Sequence, residues 1–180
     1  MNVYRITDLS DAKVVAILQA GLSEVDDKRA INYHPDYAHR PENLFYILKQ
    51  GRYQTGKGSY FVVEENGKYI CSAGWNEYTS DTALVLTRAY TKPKYRMRYL
   101  LAKHILIKAI EETKHYDHVW LTANEHNKTI YNWFVRKEEN KKSALFNDWP
   151  EIYKNFKPVG KKNVYNVDQY VVELQRKLYE

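Results

Sequence analysis

The residues best suited to chemistry stand in one turn, Lys92-Pro93-Lys94-Tyr95-Arg96-Met97-Arg98, between a strand-forming run that ends at Thr91 and a helix-forming run that begins near Tyr99. The first amides of a helix have no partner inside it, and the helix dipole adds partial positive charge there. Lysines and arginines around such a junction make an anion site, and its natural occupant is a phosphate. Downstream, Asn124-Glu125-His126-Asn127 closes the next strand with four polar side chains and leads into a second helix. The span Ala83 to Phe134 therefore reads as strand, basic turn, helix, polar strand end and helix.

Other reactive residue types are less favourably arranged. His34 and His39 share a polar loop with Asp36, but no third histidine lies at a recognised ligand spacing, so a zinc site is not expected. His115 and His118 flank a turn and read as solvated loop residues. The single cysteine, Cys71, excludes an internal disulfide and reads as a small buried hydrophobe. No glycine-rich nucleotide motif, nucleophile elbow or supported cysteine nucleophile is present. Trp133 and Phe134 read as core.

These residues must be positioned by a scaffold. Val3 to Ile6 forms a short strand, and Asp8 or Ser10 caps a helix with Val14, Val15, Ile17, Leu18 and Leu22 at helical spacing. Pro41 opens a second helix that Gly51 ends, and Gly51 to Gly58 is a loop. Tyr60 to Glu64 and Tyr69 to Trp75 form a hairpin through Asn66-Gly67, a pair that tolerates positive φ. Thr79 to Asp81 turns into a long strand, Thr82 to Thr91. The apolar stripe from Tyr99 to Thr113 predicts a helix packed on the sheet, and His118 to Ala123 a short strand parallel to the one before it. Lys128 to Glu138 is expected to be helical, and Val164 to Leu174 a strand that closes the sheet.

Length and charge bound the class. A chain of 180 residues is long enough for one well-cored domain, 1–180, and short for two. The net charge of +6 suits a nucleotide-containing cofactor, a nucleic acid, or simply a lysine-rich soluble surface. No apolar run is long enough to span a bilayer and no secretory leader is evident, so a reducing, cytoplasmic setting and no membrane partner are expected. The 17 tyrosines read as coding bias rather than mechanism.

This order of elements, with the residues from Thr91 to Leu101 and around Asn127, resembles the GCN5-related N-acetyltransferase (GNAT) superfamily. The family's signature places Pro, a two-residue gap and Arg or Gln before two glycine-type positions. Pro93 and Arg96 match it, and Tyr99 and Leu101 stand at the glycine positions. Asn127 matches the family's Asn after the fifth strand, Ile130 its apolar position, and Phe134 falls where a proton-donating Tyr usually stands, with Tyr131 one turn earlier as a substitute.

The resemblance implies an α/β (α+β) fold with a mixed, mostly antiparallel sheet, a V-shaped splay between the fourth and fifth strands, and helices on both faces. It implies acyl transfer from acetyl-CoA to an amine, with no metal. Backbone groups of Ala89, Tyr90 and Thr91 would pair with the pantetheine arm, amides of Arg96, Met97, Arg98, Tyr99, Leu100 and Leu101 would hold the pyrophosphate, and Asn127 would orient the cofactor. Glu77 is the nominated base, with Glu125 and His126 as competitors. The acceptor cleft would be shaped by about Asn32 to Gly58 and Lys141 to Lys162.

The resemblance implies a small-molecule or peptide amine as the acceptor, whose identity the sequence does not reveal. One alternative is a nucleic acid, as in phage base-modifying relatives, contacted by Lys137, Lys141, Lys142, Lys154, Lys157, Lys161 and Lys162. Another is a non-catalytic relative that no longer binds the cofactor. The closing strand leaves a homodimer open.

Overall fold

Strand β1 (Asn2–Ile6) leads into helix α1 (Ala12–Ser23) in a computed structural model that describes residues 1–23, 41–98, 101–123, 131–132, 135 and 155–175. At positions 41, 42, 96–98 and 102 it describes the backbone alone. Asp11 opens α1, its carboxylate accepting from the Val14 amide at 3.1 Å. This is the N-cap bond to the third helical amide. Asp8 and Ser10, the expected caps, bond to one another instead, the Ser10 amide donating to Asp8 Oδ1 at 2.7 Å. Helix α2 (Pro41–Lys49) carries Pro at its first position and ends at Gly51, φ 62°. There the amides of Gly51 and Arg52 bond to the carbonyls of Leu48 and Ile47, which is a Schellman closure.

The strands β2 (Gly58–Glu65), β3 (Lys68–Glu77) and β4 (Thr82–Thr91) form an antiparallel meander. Asn66 and Gly67, with φ of 54° and 75°, make the expected type I′ turn between the first two. The expected helix from Tyr99 to Thr113 is built in pieces: a 3₁₀ helix over Pro93–Arg98, a π-helical turn over Leu101–Leu106, and α3 (Ile107–Glu112). The Thr113 hydroxyl closes α3 on the Ala109 carbonyl at 2.7 Å.

Strand β5 (His118–Ala123) follows, then β6 (Phe156–Val164) and β7 (Val167–Leu174). The expected closing strand from Val164 is therefore a hairpin with its turn at Tyr165-Asn166, φ 54° and 62°. Tyrosine is not a usual residue for that conformation, so the turn left little trace in the sequence. Of the helix expected over Lys128 to Glu138, the helical residues Tyr131, Asn132 and Val135 are described, and the rest lies outside the described residues.

The seven strands make one sheet in the order β1-β2-β3-β4-β5-β7-β6, antiparallel throughout except for β4 and β5. One face packs on the π-helical turn and α3, through Ile105, Leu106 and Ala109 against Phe61, Ala73, Val85 and Leu121. The other packs on α1 and α2, through Leu18, Leu22, Leu44 and Leu48 against Tyr60 and Val62. Burying each such side chain stabilises the fold by roughly 1.5–3 kcal/mol. Gly21 lets α1 lie close on β3: a Cβ there would fall 2.0 Å from the Tyr69 ring. The mixed sheet with helices on both faces is the fold class read from the sequence. Among the described residues no helix is long and apolar enough to cross a membrane.

Candidate active site

The site begins with a distortion of β4. Leu86 and Arg88 have φ of 55° and 51°, values that cost non-glycine residues energy, and the β3–β4 register slips twice beside them. Gly74 faces the distortion. A Cβ on it would come within 2.6 Å of the Ser59 carbonyl and 2.7 Å of the Tyr60 ring, so only glycine lets the backbones pass this closely. Bulges bend the strand that carries them. The parallel ladder with β5 accordingly ends at Val85↔Leu121, while β4 continues to Thr91 along β3. The two parallel strands part there, which is the V-shaped splay.

Beneath the kink, on the α1–α2 face, lies a network of tyrosine and serine hydroxyls. Tyr60 donates to the Arg88 carbonyl at 2.7 Å, and Tyr69 donates to the Tyr90 carbonyl at 3.2 Å. Ser72 Oγ sits 3.0 Å from the Tyr60 hydroxyl and 2.7 Å from that of Tyr69. Burial pushes the pKa values of Tyr60 and Tyr69 upward, so both stay protonated donors. The bent segment is thus held from below by its own carbonyls. Arg88 Nη1 donates to the Tyr53 hydroxyl at 3.1 Å, reaching the segment that follows α2. Thr87 Oγ1 and Arg88 Nε are buried and, among the described residues, have no hydrogen-bond partner.

At its far end β4 runs into the basic turn. The Lys92 amide bonds to the Ile70 carbonyl at 3.0 Å, and the Tyr95 amide to the Lys92 carbonyl at 2.9 Å. Lys94 Nζ lies 4.8 Å over the Tyr95 ring, and Tyr95 and Leu101 both pack against the core. Leu101, at the second glycine position of the motif, therefore turns its side chain inward. The backbone of Arg96, Met97 and Arg98 continues the 3₁₀ helix, while Tyr99, Leu100 and Asn127 lie outside the described residues. Ala89, Tyr90 and Thr91 form the part of β4 beyond the splay point.

The other nominated residues lie apart from the kink. Glu77 pairs with Ala83 on the closed side of the splay. Its carboxylate accepts from Lys57 at 2.7 Å and from Tyr116 at 2.9 Å, on the α3 face of the sheet. The Lys57 hydrogen bond, then that of Tyr116, holds its pKa below the usual value. Burial, aided by the Glu77 contact, pushes Tyr116 up to about 12.

Tyr131 sits at the end of β5, its ring 4.8 Å from that of Tyr170, which pairs with Ala123. Glu125, His126, His34 and His39 lie outside the described residues, as do Lys137, Lys141, Lys142 and Lys154. His118 contacts Glu173 at 2.5 Å, and His115 stacks on Tyr116 with centroids 4.3 Å apart. Cys71 is buried, which pushes its thiol up to about 12. Sequence reasoning did not single out Arg88, Thr87 or the tyrosine network. The one local signal was Gly74 inside a strand, a mark of close backbone approach.

In structure the chain is similar to many solved acetyltransferases. A PaiA N-acetyltransferase from Thermoplasma acidophilum, solved with coenzyme A, superposes with a TM-score of 0.57 over 97% of this chain and 99% of its own, at 13% identity. A GNAT-family acetyltransferase from Staphylococcus aureus Mu50 gives 0.58 over 96% and 98%, at 13% identity. The chain has the GNAT fold. Campylobacter jejuni N-acetyltransferase PseH gives 0.53 over 96% of each chain at 15% identity. No family model matches the sequence. No curated protein matches it. The GNAT likeness is therefore one of shape.

Proposed function

We propose that the chain is an acyl-CoA-dependent N-acetyltransferase that uses acetyl-CoA. The observation that carries this reading is the splay: β4 leaves β5 at Val85, which parts the two strands into a slot, and β4 runs on into the Lys- and Arg-rich turn. An extended pantetheine arm fits such a slot as an added strand beside Ala89, Tyr90 and Thr91. Lys92 and Lys94, with Arg96 and Arg98, lie next along the chain and suit the pyrophosphate. The inward packing of Leu101 supports the fit, since a side chain directed into the core leaves that turn of backbone open to a ligand. The bound thioester supplies an activated acyl carbon for a free amine.

The chain's part is to bring amine and carbonyl together and to exclude water, which accounts for most of the rate in direct transfer. The amine nitrogen bonds to the acyl carbon as the carbon–sulfur bond breaks, and the ammonium proton leaves to solvent or a base. Tyr131, at the open end of β5, is the hydroxyl we assign to protonating the departing sulfur. Glu77, bonded to Lys57 and Tyr116, is assigned to anchoring the α3 face. The sole cysteine being a buried thiol fits a reducing, cytoplasmic setting.

Isothermal calorimetry with acetyl-CoA tests the reading. Saturable heat is expected, and none at millimolar ligand would replace it with a non-catalytic role. A nucleic-acid acceptor is the second reading, favoured by Lys161 and Lys162 lying 4.9 and 4.5 Å over the Tyr170 and Trp120 rings on the β6 edge. It requires affinity for DNA or RNA that falls steeply with salt.

A further inference from the structure

We propose that the amine acceptor carries a carboxylate and that Arg88, with Thr87, receives it where β4 parts from β5. The inference rests on the acyl-transfer reading above and adds the substrate class. A guanidinium presents five N–H donors in a rigid fork. Arg88 commits Nη1 to Tyr53. Its Nε is buried and, among the described residues, has no hydrogen-bond partner, which leaves that edge of the guanidinium unsatisfied.

That edge matches a planar carboxylate, which accepts two parallel N–H bonds. Among the described residues no carboxylate forms an ion pair with Arg88, so a positive charge is held in a partly buried place without a counter-charge. Thr87 Oγ1, the hydroxyl of the preceding residue, is likewise buried and, among the described residues, without a partner. Unsatisfied buried polar groups on two consecutive residues are a pattern that protein interiors avoid unless something else completes it.

Position identifies the occupant as the acceptor rather than the acyl donor. Arg88 reaches toward Tyr53 and the α1–α2 face, whereas the basic turn lies beyond Thr91 at the other end of the slot. Arg88 holds a positive φ, its carbonyl accepts from the Tyr60 hydroxyl, and its guanidinium donates to Tyr53. Strain maintained at such a residue is of the kind found at ligand clamps.

The test offers the standard amino acids and their carboxamides as acceptors, with acetyl-CoA as donor and release of the CoA thiol as readout. One or more acids should be acetylated, each with kcat/KM at least tenfold above its amide. Arg88→Gln should lower kcat/KM for the acid by roughly 30-fold or more and leave the amide unchanged, with partial recovery in Arg88→Lys. Thr87→Val should weaken the acid more than the amide. Melting curves accompany each variant, and if Arg88→Gln fails to fold, the comparison of acid with amide on the unaltered protein decides alone.

Equal turnover of acid and amide overturns the inference, as does an equal loss on both in Arg88→Gln. A protein that binds acetyl-CoA in calorimetry yet acetylates no acid of the panel also overturns it while leaving the acyl-transfer reading in place. Failure to bind acetyl-CoA removes that reading first, and the two failures are thereby told apart.

Discussion

Glu77 accepts hydrogen bonds from Lys57 and Tyr116, and its pKa is lowered in the folded protein, so its ionised form is the one that stabilises. A folded pKa below the unfolded value of 4.5 contributes stability above that value, and the contribution is lost as pH falls through the folded pKa. Glu77→Gln should therefore lower the melting temperature at pH 7 and approach the unaltered protein as pH falls below 4.5 and through the lowered folded pKa. The same variant should leave the pH profile of acetyl transfer unchanged, and a lost acidic limb would identify Glu77 as the base. Cys71 gives a second residue-level expectation. Burial raises its pKa to about 12, so a thiol reagent at pH 8 should label it only as fast as the fold opens, and rapid labelling of native protein would contradict its placement.

The elements respond to changes at their ends and points of close approach. Asp11→Ala removes the bond to the Val14 amide and should cost about 0.5–2 kcal/mol in denaturant unfolding, whereas Ser10→Ala should cost little. Gly21→Ala sets helix propensity against packing. Alanine favours a helix by about 1 kcal/mol, but its Cβ would meet the Tyr69 ring, and overpacking costs about 1–3 kcal/mol. A net loss of stability is expected, and a gain would mean that α1 does not lie this close to β3.

The element scale also shows how far the sequence could be read. The Asn66-Gly67 turn, the Pro41 start and the Gly51 stop were legible because each uses a residue whose backbone preferences are strong and local. The Tyr165-Asn166 turn was not, since it places tyrosine at a positive φ through the pairing of β6 with β7 rather than through its own preference. The cap moved from Asp8 or Ser10 to Asp11 because three candidate residues stand within four positions, and chain direction after β1 selects among them.

At the scale of the molecule, a ligand that binds the folded chain alone must stabilise it by mass action. Acetyl-CoA at about 100 times its Kd should add roughly 2.7 kcal/mol, seen as a higher melting temperature that grows with ligand concentration. Oligonucleotides should give no such shift at physiological salt if the acceptor is a small acid.

By itself the sequence determined the parts that depend on neighbours along the chain: strands from alternation, helices from spacing, the Asn-Gly turn, and the basic turn after Thr91. Tertiary structure alone decided which of those parts face one another. Two register slips in β4 part it from β5 and bring Arg88 to Tyr53, while Glu77 is turned to the α3 face beside Lys57 and Tyr116. The physical reason is that each inserted residue in a strand changes the face presented by those after it. An insertion needs no special residue of its own, only a glycine on the strand opposite, here Gly74, to let the bent backbone through.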